Sequence, residues 1–281
     1  MILTCNIVGG LGNQLFQIFA TMSLAMKHQM KFQFLANDHT GIIGKNERIT
    51  YWRTLLYRLK PFLLNDITLF PEMTIVEETS FHYVPVVINQ DVDTCLSGYF
   101  QSEKYFKDNF QALYKMLGIE KLKAPLSCLC PSNQTTISLH FRLGDYKTLI
   151  DQYYIMNTEY YEAALSHLLS LDSTVNMAFY FCEDKDVDEV LMTIQHLQSC
   201  FPTIEFIRAP SALQDWQQML LMSCCQHNII ANSSFSWWGA YLNMNPSKIV
   251  CYPSKWFNTG LSKNNTKDLC PPEWIEISVS I

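Results

Sequence analysis

Residues 136–146 read Thr-Ile-Ser-Leu-His-Phe-Arg-Leu-Gly-Asp-Tyr. An apolar run gives way after Phe141 to a polar turn with a glycine, which is how a buried strand ends. A regular rhythm follows. Strands are predicted at Thr136–Phe141, Met177–Cys182, Ile204–Ile207, His227–Ala231 and Lys248–Tyr252. Helices are predicted at Thr158–Leu171, Val187–Ser199, Gln214–Ser223 and Ser234–Asn243. Strands that alternate with helices predict a parallel sheet covered on both faces. Upstream, Ile2–Val8 is apolar and ends at Gly9-Gly10, and apolar residues from Asn13 to His28 recur at helical spacing. Residues 31–35 suit a second strand, and Glu103–Leu117 suits a helix. Ala124–Pro131 holds two prolines and no periodicity, which marks a linker. The expected organisation is two α/β domains, 1–125 and 132–281, with a ligand cleft between them.

Composition narrows the function. The chain has 281 residues, 48% of them hydrophobic, enough for sizeable cores. Lys and Arg number 20 against 26 Asp and Glu, a net charge of −6 with no basic run. That balance argues against a nucleic-acid partner. No signal peptide is expected at the N-terminus. Trp216–Ser247 carries no Asp, Glu, Lys or Arg, yet polar residues interrupt it, so it suits a buried interior rather than a membrane segment. The ten cysteines are expected to be reduced, the location cytoplasmic, and a structural zinc site is not indicated by their spacing.

Three motifs carry chemistry. Gly9-Gly-Leu-Gly-Asn-Gln14 joins a strand to a helix, without completing a dinucleotide fingerprint or a P-loop. His140-Phe-Arg-Leu-Gly-Asp-Tyr146 places Arg142 past a strand's carboxyl end, where α/β sheets bind ligands. Its guanidinium fork suits phosphate oxygens, or else pairs with Asp145. Ala231-Asn-Ser-Ser-Phe235 joins a strand to a helix, and its side chains are good N-caps. Helix N-termini attract anions. An Arg and a neutral helix start within one domain would grip a diphosphate, which fits a sugar nucleotide.

Together these motifs resemble the α1,2-fucosyltransferase family. The resemblance rests on Gly9–Gln17, His140–Tyr146 and His227–Ala240, with lesser matches at Gly98–Phe106, Glu159–Tyr161, Phe181–Asp184 and Pro253–Trp256. It implies a GT-B fold of two Rossmann-like domains, with the active site in the interdomain cleft. It implies an inverting, metal-independent transfer of L-fucose from GDP-β-L-fucose to the 2-hydroxyl of a terminal sugar, usually galactose, with no cofactor beyond the donor. The resemblance maps Arg142 to the β-phosphate, and Ser233, Ser234 and Phe235 to the phosphates. Asn13 maps to the reacting sugar and acceptor. Gly10, Gly12, Asn232 and Asp215 complete the expected donor-binding set. Asp145 and His140 are candidates for the general base, with Asp151 and Glu103 behind them; the diphosphate oxygen is an alternative proton acceptor. Two departures stand out: Gln218 replaces an Asp expected to meet guanine, and Phe181-Cys-Glu-Asp184 replaces a Phe-Ser-Asp-Asp pattern. They leave room for another donor or linkage on the same scaffold, or for a homologue that only binds. Asp91-Val-Asp93 and Asp186-Val-Asp188 resemble metal-binding pairs, and both are expected to face solvent.

Overall fold

A computed structural model describes residues 1–40, 48–65 and 73–279. The chain divides into two units, Met1–Leu122 with Asn264–Pro271, and Lys123–Lys263 with Pro272–Ile281. Within the stretch 41–95, whose sequence has no clear pattern, residues 41–47 and 66–72 lie outside the described residues.

The first unit is built on β1 (Ile2–Cys5) and α1 (Leu11–Lys27). Short strands follow: β2 (Lys31–Phe32), β3 (Phe34–Leu35), β4 (His39–Thr40), β5 (Arg48–Ile49) and β6 (Leu63–Leu64). Then come β7 (Thr74–Glu77) and β8 (Thr94–Ser97). The main sheet is parallel with order β2-β1-β8-β7. The strand expected over 31–35 is therefore two: β2 joins β1, and β3 leaves to pair with β6. The helix expected over Glu103–Leu117 is also broken, into two 3-10 turns and α2 (Phe110–Leu117). Phe106 is the cause. It leaves helical geometry at φ −143° to pack against Phe16 and Phe19 of α1, with centroids 6.1 and 5.6 Å away. Burying an aromatic ring outweighs the local preference for one more helical turn.

The second unit opens on α3 (Ile119–Ser127), which carries the chain across the boundary between units. Ala124–Pro131 is thus not a linker throughout, being helical as far as Ser127. Pro125 lies in the last turn and removes one N–H there. What holds this turn is Lys123, buried with its Nζ 3.0 Å from the Leu242 carbonyl. The βα rhythm then runs β9 (Thr135–His140), α4 (Thr158–Leu171), β10 (Val175–Phe181), α5 (Val187–Cys200) and β11 (Glu205–Arg208). It continues through α6 (Asp215–Met222), β12 (His227–Ile229), α7 (Ser234–Tyr241), β13 (Val250–Pro253) and β14 (Ile275–Ile277).

All six strands are parallel, in the order β11-β10-β9-β12-β13-β14. The chain starts at the middle of the sheet, builds outward through β10 and β11, and returns to β9's other side with β12. This is the doubly wound arrangement, and its direction reverses between β9 and β12. The uncharged run Trp216–Ser247 forms α6, β12 and α7, where Trp237, Trp238, Leu220 and Leu221 are fully buried. No helix among the described residues is long and apolar enough to cross a membrane.

Candidate active site

Backbone diverges on either side of a reversal point, so loops after those two strands open a crevice at the carboxyl edge of the sheet. Here the two loops are the two motifs read from the sequence: His140–Tyr146 leaves β9, and Ala231–Phe235 leaves β12. The scaffold ties them down from below. Consecutive tyrosines of α4 each bond one strand end, Tyr160 Oη donating to the Ile230 carbonyl at 2.5 Å and Tyr161 Oη to the His140 carbonyl at 2.8 Å. Tyr146 Oη donates to the Asn232 carbonyl at 3.0 Å and so joins the two motifs directly.

Arg142 is the cation of this crevice. Its guanidinium carbon lies 4.8 Å from the Tyr146 ring centroid. One terminal nitrogen bonds Asp145 and the other Glu183, which follows β10. The Arg142–Asp145 pair considered from sequence therefore forms, and Glu183 completes a clamp that fixes the fork. Gly144 lies between them in a left-handed conformation, φ +41°, and a Cβ there would run into the Glu183 carboxylate. Its N–H donates to Asp186 at 2.8 Å. Asp186 is 2% exposed and also holds Lys147 at 2.9 Å. The expectation that Asp186 faces solvent is thus corrected: its carboxylate serves the β9 loop, whereas Asp188 is exposed. Gly144→Ala should lower kcat/KM for the donor at least tenfold, because it strains the loop and displaces Glu183 from Arg142. An αL alanine costs about 1 kcal/mol, so the unfolding midpoint should fall only slightly. Unchanged kinetics would show that the clamp is dispensable.

The facing wall is the start of α7. Ser233 is its N-cap, and its Oγ accepts from Phe235 N at 3.3 Å. Ser234 and Phe235 are half-buried in the first turn. First-turn amides point out of a helix, toward the positive end of its dipole. At the other end of α7, Lys248 Nζ bonds the Ala240 and Asn243 carbonyls at 2.7 and 2.8 Å, and Lys123 bonds Leu242, so cations neutralise the negative end. Asn232 is fully buried. Its amide donates to the Tyr154 and Trp256 carbonyls at 2.8 and 2.9 Å, which assigns its side chain to the loop's own architecture.

His140 packs its ring 5.5 Å from Phe235, bridging the two walls. Burial, with the Arg142 charge beside it, pushes its pKa down to about 3. The imidazole is neutral at pH 7. An unfolded His near 6.5 takes up a proton that the folded one refuses. Stability from this group is therefore complete above about pH 6.5 and falls by about 1.4 kcal/mol per pH unit from there toward pH 3. His140→Gln should flatten this part of the acid limb in a plot of unfolding midpoint against pH. An acid limb of unchanged slope would mean that His140 titrates normally.

Asp215 is the first residue of α6, the helix that follows β11 and packs against α7. It is exposed, and its Oδ1 accepts from Trp216 N at 2.7 Å. Gln218 donates to the Leu213 carbonyl at 3.1 Å, a bond no carboxylate could make, so the departure at this position serves the loop before α6. In the first unit, Gly10 caps α1 and Gly12 is buried in its first turn. Asn13 accepts from Gln101 Nε2 at 2.9 Å, which brings the turn after β1 to the residues after β8. Gln14 and Gln17 staple that turn: Gln17 bonds both N–H and carbonyl of Val8, and Gln14 donates to Gly9 at 3.1 Å. Glu103 lies in a 3-10 turn of the same unit, and Asp151 is exposed in the second.

The family model of glycosyl transferase family 11 matches residues 73–278. The chain belongs to glycosyl transferase family 11. It is similar over nearly all its length to two Escherichia coli proteins. One is an alpha-1,2-colitosyltransferase, 24% identical, with 98% of this chain and 99% of the relative covered. The other is the O-antigen biosynthesis glycosyltransferase WbnK, 27% identical, with 96% and 98% covered. Among solved structures, the E. coli ADP-heptose lipopolysaccharide heptosyltransferase II superposes with a TM-score of 0.51 at 13% identity, covering 98% of this chain and 89% of that one. The shared architecture is the GT-B fold. As a family 11 member the chain is a glycosyltransferase, and the carboxyl ends of β9 and β12 are a candidate site for its chemistry.

Proposed function

We propose that this family 11 glycosyltransferase moves L-fucose from GDP-β-L-fucose to the 2-hydroxyl of a terminal galactose in a glycan, with inversion. The observation that carries the proposal is the pairing of Arg142 with the start of α7 at the carboxyl ends of adjacent strands. In this reading both hold the diphosphate. As the bond from the fucose anomeric carbon to the phosphate oxygen breaks, the acceptor oxygen bonds the opposite face of that carbon. Negative charge grows on GDP, where Arg142 and the first-turn amides of α7 stabilise it. Asp145 orients Arg142, and the departing diphosphate takes up the hydroxyl proton. Acceptor recognition is assigned to the first unit, at the turn containing Asn13. Family membership and the α1,2 linkage in the colitosyltransferase's name support the reading.

The test is a transfer assay with GDP-L-fucose and a terminal β-galactoside, with and without EDTA, the linkage being read by NMR. The expected result is an α1,2-linked product whose yield EDTA does not change. A second reading, the same transfer with another deoxysugar donor, is favoured by Gln218 and by the colitosyl relative. Turnover with a different GDP-sugar but not GDP-fucose would select it. Turnover with UDP-sugars alone would overturn both.

A further inference from the structure

Away from the strand ends, three potential metal ligands converge on two neighbouring helices. His196 and Cys200 are four residues apart on α5 and so share one face. Glu162 of α4 meets them. Its Oε2 lies 2.7 Å from His196 Nε2, and Cys200 Sγ lies 3.5 Å from the same nitrogen. All three donor atoms fall within 4.8 Å of one another. We propose that Glu162, His196 and Cys200 form a surface site for a divalent transition metal of the zinc type, open to water at its fourth position.

The geometry suits the ion. Tetrahedral zinc binds nitrogen at about 2.05 Å and sulfur at about 2.3 Å, which sets the two ligands about 3.5 Å apart. The His196–Cys200 separation already has this value. The His196–Glu162 contact has to open by roughly half an ångström as the ion replaces the hydrogen bond, and the donor atoms of Glu162 and Cys200, within 4.8 Å of each other, settle to about 3.5 Å by side-chain rotation. An imidazole, a thiolate and a carboxylate form a mixed set that favours zinc over calcium or magnesium. Glu162 and His196 side chains are 42% and 47% exposed, so the ion has access and room for a water. Binding would displace the thiol proton of Cys200. It would cross-link α4 to α5. Since α4 also supplies Tyr160 and Tyr161 to the two strand ends, a bound ion would brace the helix that supports the crevice.

The test uses cobalt(II) as a spectroscopic probe and zinc(II) as competitor on the purified chain. Expected are one equivalent of bound cobalt, a thiolate-to-metal charge-transfer band, tetrahedral visible bands and displacement by zinc. Cys200→Ser should abolish the charge-transfer band, and His196→Ala should weaken binding at least tenfold. Zinc should raise the unfolding midpoint of the natural chain but not of either variant. Both variants should keep transferase activity, since neither residue belongs to the donor crevice. Absence of stoichiometric binding would overturn the proposal, as would a band and affinity that survive both substitutions, which would place the metal at other cysteines.

Discussion

Arg142→Ala should lower turnover by roughly 10²–10³-fold while leaving the chain folded. A preorganised cationic donor aimed at developing charge contributes about that much to a transition state. The structure explains why folding should survive. Asp145 and Glu183 lose one partner each, but they are 40% and 43% exposed and open to water, and Glu183 keeps Lys185 at 2.9 Å. Surface ion pairs of this kind contribute about 1 kcal/mol or less. Arg142→Lys should recover only part of the loss, because an ammonium cannot present a fork to two oxygens at once. Activity and thermal unfolding measured on the same preparations check this. Turnover within threefold of the natural enzyme would remove Arg142 from the chemistry. A collapsed unfolding midpoint would recast it as a structural residue.

The largest effect on stability should come from Asn228, in β12. It is fully buried, and its amide donates to Ser138 Oγ at 2.7 Å and to the Met222 carbonyl at 2.8 Å. Its own oxygen accepts from Asn243 Nδ2 at 2.9 Å. One side chain thus joins β9, β12, the end of α6 and the end of α7. Each buried polar group left without a partner costs about 1–3 kcal/mol. Asn243 keeps its bond to the Cys225 carbonyl at 2.9 Å and the Met222 carbonyl keeps the Cys225 N–H at 3.3 Å, but both Ser138 Oγ and the Met222 carbonyl lose the Asn228 amide, and the buried space it filled is left empty. Asn228→Ala should therefore destabilise the protein by about 3 kcal/mol, or roughly 6–12 °C in midpoint. Thermal and urea unfolding read this directly. A shift below 2 °C would show that the network is not what fixes the reversal point.

These two residues mark the limits of what sequence reveals. Arg142 and its partner Asp145 stand out in the motif, because a cation and a carboxylate three residues apart after an apolar strand can meet. Glu183, the other half of the clamp, comes from a different strand end that no local pattern connects to Arg142. The unit containing it was legible too: α4 runs from Thr158 to Leu171 as its periodicity indicates. Asn228 sits in a quoted motif, but no local pattern says that a polar residue inside an apolar strand has three buried partners. Strand order is equally silent in sequence, and it is the order that makes the β9 and β12 loops neighbours. Asp186 misleads for a related reason. A carboxylate at a helix start looks the same in sequence whether it faces water or a neighbouring loop's N–H. In the first unit, β7 is an edge strand with Ile75 65% exposed, so alternation between buried and exposed faces never develops. The missed β14 is three residues long, too short for any period.

The central claim is a location: the donor diphosphate lies between Arg142 and the start of α7. Hydrogen–deuterium exchange with and without GDP tests it most directly. Peptides covering 141–147 and 231–237 should exchange more slowly with GDP bound, and Arg142→Ala should remove that protection at the same GDP concentration. Protection confined to other segments, or protection at these two that persists in Arg142→Ala, would contradict the account.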